Sequence, residues 1–368
     1  MPLQIIIGRF IDLSIQKYIA LFFLLMAPAF ALRADSGEDG PLLYLGGHFY
    51  GGRIEIHSSR IEYFGGVSPV GGGLDLSWKF VSEQAYSLCQ CYPSLGASLT
   101  YWDFGHHSLG NALSGMFYVE PVLFSPFDTD ISLRAGLGMS YMDHPYDAET
   151  NPLNITYSTH FAFPLMVGVS FSHSLGDKWN VRLSGEFQHI SNGGTHQPNL
   201  GINYLTAGLG IQRKLTRRKL PDPPAPSPFD PAEGLRRVEW SLISGLKEPE
   251  GEESQDGVFS FSGEYLHQFG RINAWSAGFM VENDNSREGS SQIDHSRMSV
   301  MGGHAFLLGR FTFAQKAGLY LWSGHPTKAP WFQYYTLDFS VSQRLGIGVG
   351  LKAHGKVAEF LGVRLLLR

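Results

Sequence analysis

The sequence predicts an all-β protein: an antiparallel transmembrane β-barrel of the outer-membrane type, with roughly 14–17 strands. Three observations carry this expectation. Apolar residues alternate with polar or very small ones almost everywhere after residue 40. The chain holds 44 Gly among 368 residues and 13% aromatics, a composition suited to strands joined by tight turns. Its N-terminus is laid out for export.

Arg9 and Lys17 precede the apolar run from Tyr18 to Met26, and Ala29-Phe30-Ala31 supplies small residues at cleavage-site spacing. Residues 1–31 therefore read as a secretory signal peptide, with the mature chain starting near Leu32. No later apolar run is long enough for a transmembrane helix, so strands must do the spanning.

The alternation is clear in several segments. Ile131, Leu133, Ala135, Leu137, Met139 and Tyr141 share one face, opposed by Ser132, Arg134, Gly136, Gly138 and Ser140. The pattern repeats at Phe163, Leu165, Val167, Val169 and Phe171, again from Ile347 to His354, and in the closing Leu361, Val363, Leu365 and Leu367. Charged residues such as Glu120, Arg134, Lys352 and Arg364 fall on the face opposite the apolar one. That is the signature of an apolar wall in lipid around a polar lumen. Six prolines between Thr216 and Arg237 exclude a central strand there, so residues 216–237 read as a linker or long turn. It separates residues 32–215, with about nine strands, from residues 238–368, with about eight. An open sheet in lipid would leave its edges unpaired, so the second half is expected to complete one closed barrel with the first.

Other features narrow the function. A net charge of −5, with no basic block longer than Arg217-Arg218-Lys219, gives no reason to expect nucleic acid. On a straight strand Cys89 and Cys91 would share a face about 7 Å apart, too far for a bridge, so both read as small apolar strand residues. His106-His107 near Asp103 lies in a turn-like segment and is not expected to bind metal. His57-Ser58 ends a strand and suits polar contacts at a membrane interface. Nothing points to a cofactor, and oligomeric state leaves no mark in the sequence.

One stretch carries candidate chemistry: FQHISNGGTHQPNLGIN, residues 187–203. Taken as a hairpin with Phe187 facing Leu205, it sets Gly185 against Ala207, Leu183 against Leu209 and His189 against Asn203. Val181, Leu183, Phe187, Leu205, Leu209 and Ile211 then form one apolar outer wall, while Arg182, Ser184, Glu186 and Gln188 turn into the lumen. His189, Ser191 and Asn203 continue the lipid-facing side where it meets water. A serine becomes a useful nucleophile when an imidazole takes its proton and a third group holds that imidazole. Amides of Asn192 and Asn199, or the backbone N–H of Gly193, could stabilise an oxyanion. The plainer reading is turn chemistry beside an interfacial histidine.

His189-Ile190-Ser191-Asn192-Gly193, followed by Gln197-Pro198-Asn199-Leu200-Gly201, resembles the signature of the PagL-type lipid A 3-O-deacylases. The wider chain resembles their longer acyloxyacyl hydrolase-type relatives from Bacteroidetes, at Gly52–Ser58, Tyr92–Gly96, Ala317–Leu321 and Leu351–Glu359. The resemblance implies Ser191 as nucleophile, His189 as general base and Asn199 as oxyanion donor, with Asn192 and Gly193 beside it. It also implies a Glu fourteen residues after the histidine, where this chain has Asn203. An Asn oxygen can accept from imidazole Nδ1–H but cannot offset the imidazolium charge. The expected function is an outer-membrane serine esterase that removes an ester-linked acyl chain from lipid A in lipopolysaccharide, among outer-membrane lipids. The competing expectation is a non-enzymatic barrel, a pore or structural protein with a degenerate site.

Overall fold

A computed structural model describes residues 40–193, 196–222, 224, 229–247, 256–285, 295–324, 327, 329–355 and 357–368. The expected signal peptide lies outside the described residues. From residue 42 onwards the described chain is almost wholly strand, in two closed eight-stranded antiparallel barrels.

The first barrel comprises β1 (Leu42–Ile54), β2 (Val70–Lys79), β3 (Ser94–Asp103), β4 (Asn111–Glu120), β6 (Thr129–Met142), β7 (Phe161–Leu175), β8 (Trp179–Ser191) and β9 (Ile202–Lys214). A three-residue strand, β5 (Val122–Phe124), pairs only with β6. Closure comes from β1 pairing with β9 and β4 pairing with β6. The second barrel runs in sequence order through β10 (Arg236–Lys247), β11 (Asp256–Gln268), β12 (Asn273–Asp284), β13 (Ser296–Leu308), β14 (Phe311–Ser323), β15 (Trp331–Ser340), β16 (Leu345–His354) and β17 (Val357–Leu367). It closes where β10 pairs with β17.

The expectation of one large barrel is therefore corrected. Alternation and turn spacing report each strand but not which strand meets which at closure. Each half holds eight long strands, enough to bury its own edges. The described strands number nine in the first part, β1–β9, and eight in the second, where β10 begins two residues inside the expected linker.

Parity sorts the side chains as the alternation requires. On the first barrel Leu183, Phe187, Leu209, Val167 and Tyr141 are exposed on the wall. On the second, Leu319, Leu321, Val363 and Leu367 are exposed in the same way. The lumens are filled rather than open. In the first, Arg134 donates to Asp75 at 2.6 Å and lies 3.6 Å from Glu186, while Arg182 bonds Glu120. In the second, Arg297 meets Glu282 at 3.1 Å and Glu359 at 2.9 Å, and Lys352 meets Glu282 at 2.8 Å. These charges are buried, so each depends on its partners to replace lost hydration.

The cysteines also differ from expectation: Cys89 and Cys91 form a disulfide. They are not on a strand. Helix α1 (Glu83–Cys89), capped by Ser82 accepting from the Ala85 N–H, ends at Cys89. Gln90 then takes a left-handed conformation (φ 54°), which brings the two Cα atoms to 5.1 Å. That separation lies inside the range a bridge tolerates.

Candidate active site at the rim of the first barrel

The site is built from the inside outwards. Ile190 and Ile202 are inward-facing neighbours of the candidate residues, and both are fully buried in an aromatic plug with Tyr50, Trp102, Tyr157 and Tyr204. The plug anchors the ends of β8 and β9, so the side chains of opposite parity, His189, Ser191 and Asn203, face the outer wall. Glu186, the nearest carboxylate in sequence, points into the lumen and accepts from the Tyr50 hydroxyl at 3.2 Å.

The hairpin has the register read from the sequence, with Phe187 opposite Leu205 and His189 opposite Asn203. On the other side of β8, Leu165 stands opposite His189 and Phe163 opposite Ser191. His189 Nδ1 and Asn203 Oδ1 are 2.5 Å apart. An amide oxygen can only accept, so Nδ1 carries the proton and Nε2 keeps its lone pair. Asn203 is only 6% exposed although it belongs to the outer face, because its neighbours cover it.

Ser191 Oγ accepts from the Gly193 N–H at 3.4 Å. Among the described residues it makes no hydrogen bond to the imidazole. Two residues of the same parity lie roughly 7 Å apart along a strand, and catalytic hydrogen bonds often tighten only around a substrate.

The connecting loop supplies amides in a fixed orientation. The Asn192 N–H donates to Asn199 Oδ1 at 3.0 Å, which turns the Asn199 NH2 group away from that contact. Among the described residues Asn199 Nδ2 has no partner. Asn192 is different from its expected role, because its own Nδ2 is engaged by Ser158 Oγ at 3.2 Å and the His196 carbonyl at 2.8 Å. Being fully buried, it holds the loop rather than presenting a side-chain amide.

Residues 143–160 lie beneath this loop. The Leu200 and Gly201 N–H groups donate to the carbonyls of Ile155 and Thr156. Asn154 and Thr156, a sequon in the sequence, are buried and bonded to each other at 2.6 Å. At the start of this segment, partial burial would raise the Asp143 carboxyl. Hydrogen bonds from Asn111 and His144 outweigh it and hold the group below the usual carboxylate range.

Sequence reasoning missed two contributors. Gly201 (φ +75°) lies against the imidazole, and a Cβ there would come within 2.6 Å of His189 Cε1 and 3.3 Å of Nε2. A glycine in a turn has many explanations, so this one gave no separate signal. His57 packs onto the same loop, with Nε2 2.9 Å from the Leu200 carbonyl. His106 and His107 stack on each other in the 104–110 loop, where His106 Nδ1 accepts from the Ser108 N–H at 3.2 Å. At the same height on the wall, Phe161 meets Tyr141 edge to face at 5.8 Å, and Tyr141 stacks on His160 at 5.5 Å. Such a band of aromatics marks a membrane interface.

Comparison with known proteins finds two family models along the chain. Residues 71–212 match the family model described as lipid A 3-O-deacylase, and residues 236–368 match that of the acyloxyacyl hydrolase C-terminal domain. No curated protein matches the chain. Among solved structures, a chain described as "Asymmetric conductivity of engineered proteins" aligns at 10% identity, covering 88% of this chain and 98% of its own, with a TM-score of 0.21. A mutant of Rh. blastica porin aligns over the same shares at 9% identity and the same TM-score. Superpositions that loose carry no argument about fold or function.

Proposed function

Since the chain belongs to the lipid A 3-O-deacylase and acyloxyacyl hydrolase family, a family of lipid A-modifying hydrolases of the outer membrane, we propose that it is a serine esterase acting on lipid A from the outer leaflet. The observation that carries this reading is the His189–Asn203 hydrogen bond on the lipid-facing side, next to Ser191 and beneath a loop of oriented amides. The rim that carries the site also bears the loops 55–69, 104–110, 143–160 and 192–201. In outer-membrane barrels the longer loops face outside the cell.

In this reading an acyl chain lies along Phe187, Leu205, Leu183 and Leu209. Ser191 Oγ attacks the ester carbonyl carbon while its proton passes to His189 Nε2. The tetrahedral oxyanion takes hydrogen bonds from Asn199 Nδ2 and the Gly193 N–H, with Asn192 holding Asn199 in place. The intermediate collapses by breaking the ester C–O bond, and the departing sugar or hydroxyacyl oxygen takes the proton from Nε2. Water then attacks the acyl-serine, giving its proton to Nε2. Fatty acid leaves and Ser191 regains its hydrogen. Asn203 keeps the imidazole in the required tautomer throughout. Lacking a charge, it stabilises the imidazolium less than a carboxylate would.

A lumen filled by ion pairs in each barrel favours this reading over a pore. The experiment is direct labelling. A long-chain alkyl phosphonate ester should phosphonylate one residue, Ser191, identified by peptide mass spectrometry. Labelling should vanish in Ser191→Ala and slow by about 100-fold or more in His189→Ala, in line with the role of a general base. An adduct elsewhere, or equal labelling in the His189 variant, would refute the assignment.

A further inference from the structure

The outer wall of the first barrel holds almost no cations. Among the described outward-facing residues of its eight long strands, Arg53 and Arg213 are the only Lys or Arg, one near each rim. Arg213 lies over the Trp179 ring at the far rim. Arg53 is at the site rim. It stands opposite Leu205, which stands opposite Phe187, so it occupies the row just below the site.

Its neighbour of the same parity completes the row above. The Glu55 N–H donates to the Asn203 carbonyl at 2.8 Å, which sets Glu55 beside Asn203 and in line with His189. The Glu55 carboxylate accepts from Arg53 Nε at 2.7 Å. That single bond leaves both Nη groups of Arg53 without partners among the described residues. The Arg53 side chain is 70% exposed, against 24% for Glu55. A guanidinium on a lipid-facing wall, among Phe49, Phe187 and Leu205, must either reach the headgroup layer or meet an anion there. With its Nε tethered, the planar fork is pre-aimed, as bidentate binding of a tetrahedral oxyanion requires.

We propose that Arg53, held by Glu55, is an anion subsite that takes a phosphate group on the lipid substrate and so sets the glycolipid's position against Ser191. This rests on the esterase reading above. It adds a specificity residue that touches the part of the substrate not being cut. Glu55 acts through Arg53 and is a positioning residue. Binding energy from such a remote group serves to orient the reacting ester.

The test uses the full chain in detergent micelles and two substrates, phosphorylated lipid A and the same lipid A after enzymatic removal of its phosphates. For Arg53→Gln, KM for phosphorylated lipid A should rise about 10-fold or more with kcat nearly unchanged, while the dephosphorylated substrate should be cut as by the wild type. Arg53→Lys should recover part of the loss and Glu55→Gln should show a weaker form of it. Equal KM values for wild type and Arg53→Gln on phosphorylated lipid A would overturn the proposal, as would an equal loss on both substrates. Inorganic phosphate is the second probe. Competitive inhibition of the wild type should disappear in Arg53→Gln, and inhibition of equal strength in both would overturn the proposal. Binding of both lipids by the Ser191→Ala protein separates the two claims. A phosphate preference that depends on Arg53 there, without hydrolysis by the wild type, would uphold the subsite and reject the esterase.

Discussion

Replacing His189 with Ala is expected to reduce fatty-acid release from lipid A by about four to six orders of magnitude, with the barrel still folded. The size follows from the geometry. Nδ1 is occupied by Asn203, so Nε2 is the imidazole nitrogen left to take the Ser191 proton. Without it the serine hydroxyl stays protonated, and what remains comes from binding and the oxyanion donors. Structural damage should be small, because His189 projects outward while Ile190 and Ile202 hold the hairpin in the plug. Asn203→Ala should cost less, since the imidazole would remain although free to turn. Asn203→Glu should raise the rate if the new carboxylate reaches Nδ1, by giving the imidazolium a counter-charge. Turnover of purified lipopolysaccharide, with heat-modified gel mobility as a check on folding, measures all three. A His189→Ala enzyme within 10-fold of wild type would remove the imidazole from the mechanism.

The second large effect concerns stability and should be confined to the second barrel. Arg297 lies 1% exposed among Glu282, Glu359 and Asp284, the last at 3.5 Å. Lys352 is a second cation of this cluster, near Glu282 and Glu359. Arg297→Met would remove the cation that Glu282, Glu359 and Asp284 share, with Lys352 still beside Glu282 and Glu359 and His354 beside Glu359. Breaking a buried pair by removing one partner typically costs about 3–5 kcal/mol, because the remaining charge loses its counter-ion without regaining water. The variant should unfold at clearly lower denaturant than wild type in detergent micelles, while phosphonate labelling of Ser191 in the first barrel proceeds normally. A midpoint unchanged from wild type would mean that the cluster contributes nothing net.

Much of this architecture is legible in the sequence because a strand has a period of two. Parity alone sets Arg134 and Glu186 inside and Phe187 outside, and it pairs His189 with Asn203. Closure is not legible, since the partner of β9 is β1, far away in sequence, and no alternation pattern encodes that choice. The disulfide escapes for a related reason: strand geometry does not apply to residues that end a short helix, where the left-handed Gln90 draws Cys89 and Cys91 together. Within the site, the residue types are readable but their division of labour is not. Asn192 and Asn199 look alike as amides, and only the bond between them shows which one is buried as a brace and which has an NH2 without a partner among the described residues. Gly201 and Arg53 stay hidden because their meaning depends on what lies beside them across the hairpin and across the β1–β9 seam.

Ser191, as the proposed nucleophile of a lipid A esterase, leaves its mark on the lipid itself. Mass spectrometry of lipid A from cells expressing the wild type or Ser191→Ala at equal outer-membrane levels tests it most directly. The wild type should yield lipid A lighter by one ester-linked acyl chain, with the matching free fatty acid, and Ser191→Ala should yield lipid A identical to that of cells lacking the protein. Identical acylation in all three, or the same loss of a chain in both expressing strains, would rule out Ser191 as the nucleophile.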